Sequence, residues 1–128
     1  MLLAINGTLM RGLALNPSLL SVGATFVAEA QTAPAYRLWS IGDAYPGMLR
    51  TGRGGAAIWL ELWELEAGGL IQILEGEPAG LTLGRVLLAD GRSVLGILSE
   101  PFAVEAQREI TSFGGWRAYL ASRAQSSA

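Results

Sequence analysis

No apolar run in this chain exceeds a few residues before a turn signal interrupts it. Asn6-Gly7, Asn16-Pro17, Pro34, the DAYPG and TGRGG stretches, Gly68-Gly69, Asp90-Gly91 and Gly114-Gly115 cut the sequence into short segments. Long helices are therefore excluded, and so is a membrane-spanning segment, which needs about 20 consecutive apolar residues. What remains is a fold of short strands with brief helical connections. The clearest strand is Ala56 to Leu65, where β-formers alternate with period 2. Thr25 to Gln31 and Tyr36 to Ile41 read as strands on either side of a turn at Pro34. Leu83 to Ala89 and Ser93 to Leu98 flank Asp90-Gly91, a strong hairpin signal. Leu2 to Ile5 is a short buried strand.

Asn16-Pro17 marks a helix start, since Asn caps well and Pro is pre-set for the first helical position, so a helix is placed over Pro17 to Val22. Glu66 to Leu74 reads as one or two helical turns weakened by Gly68-Gly69, and Pro101 to Glu109 as another turn. WRAYLASRA forms a C-terminal helix with Trp116, Tyr119 and Leu120 on one face. Asp43 to Gly47 is read as a loop. One domain over residues 1–122 follows, with a disordered tail at 123–128. Closing six or seven short strands hides their edges, so the expected class is α+β, a small mixed-strand barrel with a few short helices.

Composition narrows the chemistry. Among 128 residues there is no Cys, His or Lys, and all nine cations are Arg. Disulfides, thiolate nucleophiles, a Ser-His-Asp triad, His- or Cys-ligated metals, Schiff bases and a P-loop are excluded. Neither metal nor cofactor is expected. Catalysis would fall to Asp, Glu, Arg, Tyr, hydroxyls and backbone amides. The net charge of −2 and scattered Arg argue against nucleic acid as a partner. MLLAINGTLMRG lacks a basic n-region and a small-residue cleavage site, so the expected location is cytoplasmic, with no membrane partner.

Three constellations carry candidate chemistry. In AAIWLELWEL, alternation puts Glu61 on the same face as Trp59 and Trp63. A carboxylate wedged between indoles is expected to be desolvated, with a raised pKa suited to proton transfer. The plainer expectation is that the Trp pair packs under a loop and Glu61 pairs with an Arg. In INGTLMRG, consecutive amides after Asn6-Gly7 suit a carboxylate or an oxyanion, with Thr8 and Arg11 in support; an ordinary turn is the alternative. Glu75 and Glu77 in LEGEPAG are either a solvated pair or an acid/base group at a pocket mouth, and Glu100 after LGILS is of the same kind. Tyr36, Tyr45 and Trp39 are expected to pack in the core or at a rim, with substrate contact the alternative that makes Tyr36 a candidate site residue. Arg37, Arg50 and Arg117 are candidate carboxylate clamps, with a solvated surface role the plainer expectation for each.

NGTLMRG after a first strand resembles the entry loop of the gamma-glutamylcyclotransferase-like (AIG2-like) superfamily. A longer resemblance covers Ile5 to Ala121. The segments GTLMRGLALN, APAYRLWSI, PGMLR, GGAAIWLELWEL, PAGLTLGRVLLADGRSVLGILSE and REITSFGGWRAYL are similar, in this order, to the C-terminal domain of allophanate hydrolase. The resemblance implies a stand-alone relative with a cyclotransferase-like mixed barrel and a small pocket beside the first strand's loop. It also implies that the amides of Asn6, Gly7, Thr8, Leu9 and Met10 hold the substrate, and that a Glu near LEG is the acid/base: Glu75, with Glu77 adjacent. The family's loop typically carries His where this chain has Thr8, so its His-dependent steps do not transfer. Two functional expectations stand side by side. One is an enzyme acting on a compact carboxylate- or urea-like, or gamma-glutamyl, metabolite. The other is a non-catalytic accessory module, with a homodimer or a partner amidase as its counterpart.

Overall fold

The computed structural model describes residues 1–126. A five-stranded sheet has the order β2 (Thr25–Gln31), β5 (Trp59–Glu64), β1 (Leu2–Ile5), β7 (Ser93–Ser99), β6 (Leu81–Leu87). A second sheet has the order β4 (Tyr45–Arg50), β3 (Tyr36–Ile41), β8 (Arg108–Glu109). Strand β1 is central, antiparallel to β5 and parallel to β7. Leu3, Ala4 and Ile5 are accordingly all buried, as a strand covered on both faces requires. Helices α1 (Asn16–Ser21), α2 (Ala67–Glu75), α3 (Pro101–Val104) and α4 (Trp116–Ser126) fill the connections.

The class is α+β, but the sheets do not close into the expected barrel. The outer strands β2 and β6 meet only just beyond their ends, at a Thr32–Leu88 bridge, where the Ala33 N–H donates to Leu87 O and the Ala89 N–H to Gln31 O, each at 2.9 Å. Pro34 follows at once and the chain leaves for the second sheet. The Leu87 N–H donates to the Tyr36 hydroxyl at 2.8 Å, so a side chain replaces a strand at that point of the seam. A bulge between Phe26 and Ala28 bends β2 further.

Two smaller expectations also change. Asp43 to Gly47 is not a loop: Gly42, Asp43 and Ala44 make a three-residue hairpin turn, with positive φ at Gly42 (59°) and Asp43 (57°) and the Ala44 N–H on Ile41 O, and β4 begins at Tyr45. Two successive positive φ values suit the twist of the flanking strands. The Ser40 and Tyr119 hydroxyls both donate to Asp43 Oδ1 at 2.6 Å and hold the turn. Helix α4 continues through Ser126, so residues 123–126 of the expected tail are helical; positions 127 and 128 lie outside the described residues.

Helix α2 forms despite Gly68 and Gly69, each of which costs a helix about 1 kcal/mol relative to Ala. Burial of Leu70 and Ile73 offsets this. A Cβ at Gly69 would come within 3.1 Å of Val22 Cβ, so the glycine allows the end of α1 to approach α2.

Candidate functional site

The entry loop leaves the end of β1 and is fixed by its carbonyls. The Met10 N–H donates to Gly7 O and the Leu15 N–H to Thr8 O, both at 3.0 Å; Asn16 Nδ2 donates to Leu9 O at 2.9 Å. A trans peptide is planar, so fixing a carbonyl turns the following N–H the other way. The N–H groups of Thr8 and Leu9 thus face away from these partners, and they donate to no backbone carbonyl among the described residues. Asn6, buried, anchors the loop's start through Nδ2 to Ile97 O at 2.9 Å.

Asn6, Gly7, Thr8 and Leu9 line a narrow cleft with Tyr45, Pro46, Leu81, Ile97 and Glu77, with room of about 20 Å³. That is space for one water. It adjoins a wider groove of about 200 Å³ between α1 and α2, where Ser18, Ser21, Gln72 and Gly76 supply neutral polar walls. Leu9 and Glu77 line both.

Glu77 is half-buried, and its carboxyl has no hydrogen-bond or ion-pair partner among the described residues. Burial pushes its pKa above the ordinary value of 4.5. The folded state therefore holds the proton more tightly than the unfolded chain, and this contribution to stability is lost as pH rises from 4.5 through the raised value. A Glu77→Gln variant is expected to melt above the wild type at neutral pH and level with it at pH 4. Thermal unfolding across that range checks it, and parallel curves would show that Glu77 titrates normally.

The other candidates are placed differently. Glu75, the last residue of α2, is exposed and lines neither space; Glu100, exposed, precedes α3 and also lines neither. Tyr36 is fully buried, with its hydroxyl at the β2–β6 seam, so it takes the core place of the two expected for it and is no candidate for substrate contact. Arg37 pairs with Glu109.

Glu61 is 1% exposed, yet it is not a high-pKa acid between two indoles. Trp59 is half-exposed, whereas Trp63 Nε1 donates to Glu61 Oε1 at 3.1 Å. The same oxygen accepts the Arg11 N–H at 2.9 Å; Oε2 accepts Arg11 Nε at 3.2 Å and Arg117 Nη2 at 2.9 Å. Burial pulls the pKa up, but these four donors outweigh it and hold the carboxyl below its ordinary range. Glu61 pairs with Arg11 and Arg117, the part of the plainer expectation that the structure shows, while Trp59 stays half-exposed and does not pack away with Trp63. Arg11 is committed with Glu61: Nη2 pairs with Glu29 at 2.9 Å and the guanidinium lies 3.6 Å from the Phe26 ring centroid. Met10, Glu61 and Arg117 line a separate pocket of about 210 Å³ against Trp59 and Trp116, so the entry-loop residues divide between two sites.

Tyr45, expected as core or rim packing, lines the narrow cleft, and Pro46, Ser18, Ser21 and Gln72 are lining residues that the sequence alone does not single out. The i, i+3 spacing of Ser18 and Ser21 behind Asn16-Pro17 was the available signal. Among the described residues, no group of three or more carboxylates is clustered to hold a metal ion.

Residues 1–121 match the family model of the allophanate hydrolase C-terminal domain. The chain belongs to that family. Relatives include the urea amidolyase of Saccharomyces cerevisiae, 31% identical over 127 residues, and that of Lachancea kluyveri, 28% identical over 125; each alignment covers 92% of this chain. The chain spans only 7% of the length of these curated relatives. Among solved structures, a protein specific to uropathogenic E. coli superposes with a TM-score of 0.92 at 51% identity, covering 94% of both chains. Kluyveromyces lactis allophanate hydrolase gives 0.89 at 28% identity, covering 94% of this chain and 21% of the enzyme. An AIG2-like protein of Mus musculus, at 19% identity and a TM-score of 0.61 over 80% of this chain, shares the fold. This family domain holds no helix among the described residues long and apolar enough to cross a membrane.

Proposed function

We propose that this domain binds a compact carboxylate- or urea-like metabolite in the groove between α1 and α2, with one ligand oxygen entering the narrow cleft between the entry loop and Glu77, and with Glu77 as the group that moves a proton. One observation carries the reading: a half-buried carboxyl without a partner shares a cleft with loop N–H groups that lack backbone acceptors. Acid/base work needs a carboxyl whose pKa lies nearer neutrality than usual, and burial moves Glu77 in that direction. The amides of Thr8 and Leu9 supply donors for an oxygen of the ligand.

The accessory-module reading draws on a different observation. The curated relatives are far longer chains, and the K. lactis structure is an allophanate hydrolase of which this domain matches about a fifth. A partner amidase is the counterpart this reading implies.

A thermal-shift screen with 5-oxoproline, gamma-glutamyl dipeptides, urea, biuret and malonate separates the two. A ligand at 100 times its Kd stabilises the native state by about 2.7 kcal/mol. The expected result is a rise in Tm with one chemical class, lost in Glu77→Leu. No response to any of them, or a response unchanged in Glu77→Leu, overturns the cleft as the site.

A further inference from the structure

The charge inventory of the cleft constrains what it can hold. Among the residues lining the cleft and the adjoining groove, Glu77 is the one charged side chain. Ser18, Ser21 and Gln72 are neutral, and no Arg lines either space. The cations sit elsewhere: Arg11 and Arg117 on Glu61, Arg37 on Glu109, Arg92 on Asp90 and Arg123 by Asp43.

An anionic ligand would therefore meet a carboxylate with no countercharge, and two carboxylates sharing a site oppose each other's ionisation. The loop, by contrast, offers N–H donors that need an acceptor, and Glu77 offers acceptor oxygens that need donors. Both demands are met by one uncharged group with a carbonyl oxygen beside N–H hydrogens. The structure assigns to this cleft a carboxamide-type ligand group, with its carbonyl on the Thr8 and Leu9 amides and its N–H on Glu77, in preference to a carboxylate. This rests on the cleft being the metabolite site, and it narrows that reading from carboxylate- or urea-like ligands to uncharged amides.

Matched probes test it. Malonamide and malonate have the same skeleton and differ in charge and donors. Titrating each at pH 7 while following backbone 15N–1H signals is expected to move Gly7, Thr8 and Leu9 with malonamide, with affinity at least about tenfold above that for malonate. In Glu77→Gln, which removes the charge and keeps the shape, the preference should shrink to within about threefold. Malonate binding as tightly as malonamide at these amides overturns the carboxamide assignment and leaves the cleft as the metabolite site. Methylammonium binding there more tightly than malonamide also overturns it, in favour of a cationic group. If neither malonamide nor malonate moves the loop signals, both the assignment and the cleft reading fall. A preference retained in full by Glu77→Gln removes Glu77 as its cause and overturns the assignment as stated.

Discussion

Replacing Glu61 with Gln is expected to cost about 3 kcal/mol of stability and to lower Tm by roughly 10 °C. Four donors converge on two carboxylate oxygens. The amide keeps one oxygen and turns an NH2 group toward donors that then lack a partner. The estimate is the low end for breaking a buried pair, because the Arg11 and Arg117 side chains are each 44% exposed and water partly repays them. The sign with pH follows from the lowered folded pKa. The Glu61 contribution is complete above the ordinary value of 4.5 and disappears as pH falls through the depressed value. Wild type and variant should therefore differ most at neutral pH and converge in acid. Urea unfolding at pH 7 and pH 3 checks this, and equal midpoints at pH 7 would mean that the four donors contribute nothing net.

Gly7→Val should destabilise the domain by about 2–3 kcal/mol and disable the entry loop with it. A Cβ at Gly7 would lie 2.6 Å from Pro46 Cδ and 2.8 Å from Cγ. Pro46 is buried in β4 and its ring is rigid, so the strand must move or the loop must open. Adding Pro46→Ala should recover part of the loss, and the coupling in that double-mutant cycle is the readout. Additive effects would show that the ring and the glycine do not touch.

The sequence carried the local elements wherever a single dipeptide decides the backbone. The helix α1 does start at Asn16-Pro17, but Asn16 is not its cap: Leu15 takes that position and Asn16 Nδ2 donates to Leu9 O instead, whereas Asp90-Gly91 joins β6 to β7 in register. The β3–β4 turn is also written in the sequence, as Gly42-Asp43 at the head of DAYPG rather than as the DAYPG stretch itself. Barrel closure was not legible, because it depends on whether β2 and β6 pair along their lengths, and that long-range contact ends at one bridge. At the site, alternation placed Glu61 on the face of Trp63, but not the Arg11 and Arg117 donors, which lie 50 and 56 residues away. The choice between Glu75 and Glu77 turned on where α2 ends. The helix closes on Glu75 with Gly76 as its cap, so the chain turns and brings Glu77, not Glu75, to the entry loop.

The Glu61 cluster also sets an order of events for a chain emerging from a ribosome. Its members, Arg11, Glu61, Trp63 and Arg117, span almost the whole polypeptide. Strand β1 is made first but lies mid-sheet, between partners centred near residues 62 and 96. Such distant pairings are slow, and they come only after the intervening chain exists. The entry loop begins four residues into that delay and is tied down at Arg11 by a carboxylate that α4 completes. A nascent chain stalled before residue 117 would hold every atom of the Glu77 cleft and still lack the last tie on its entry loop.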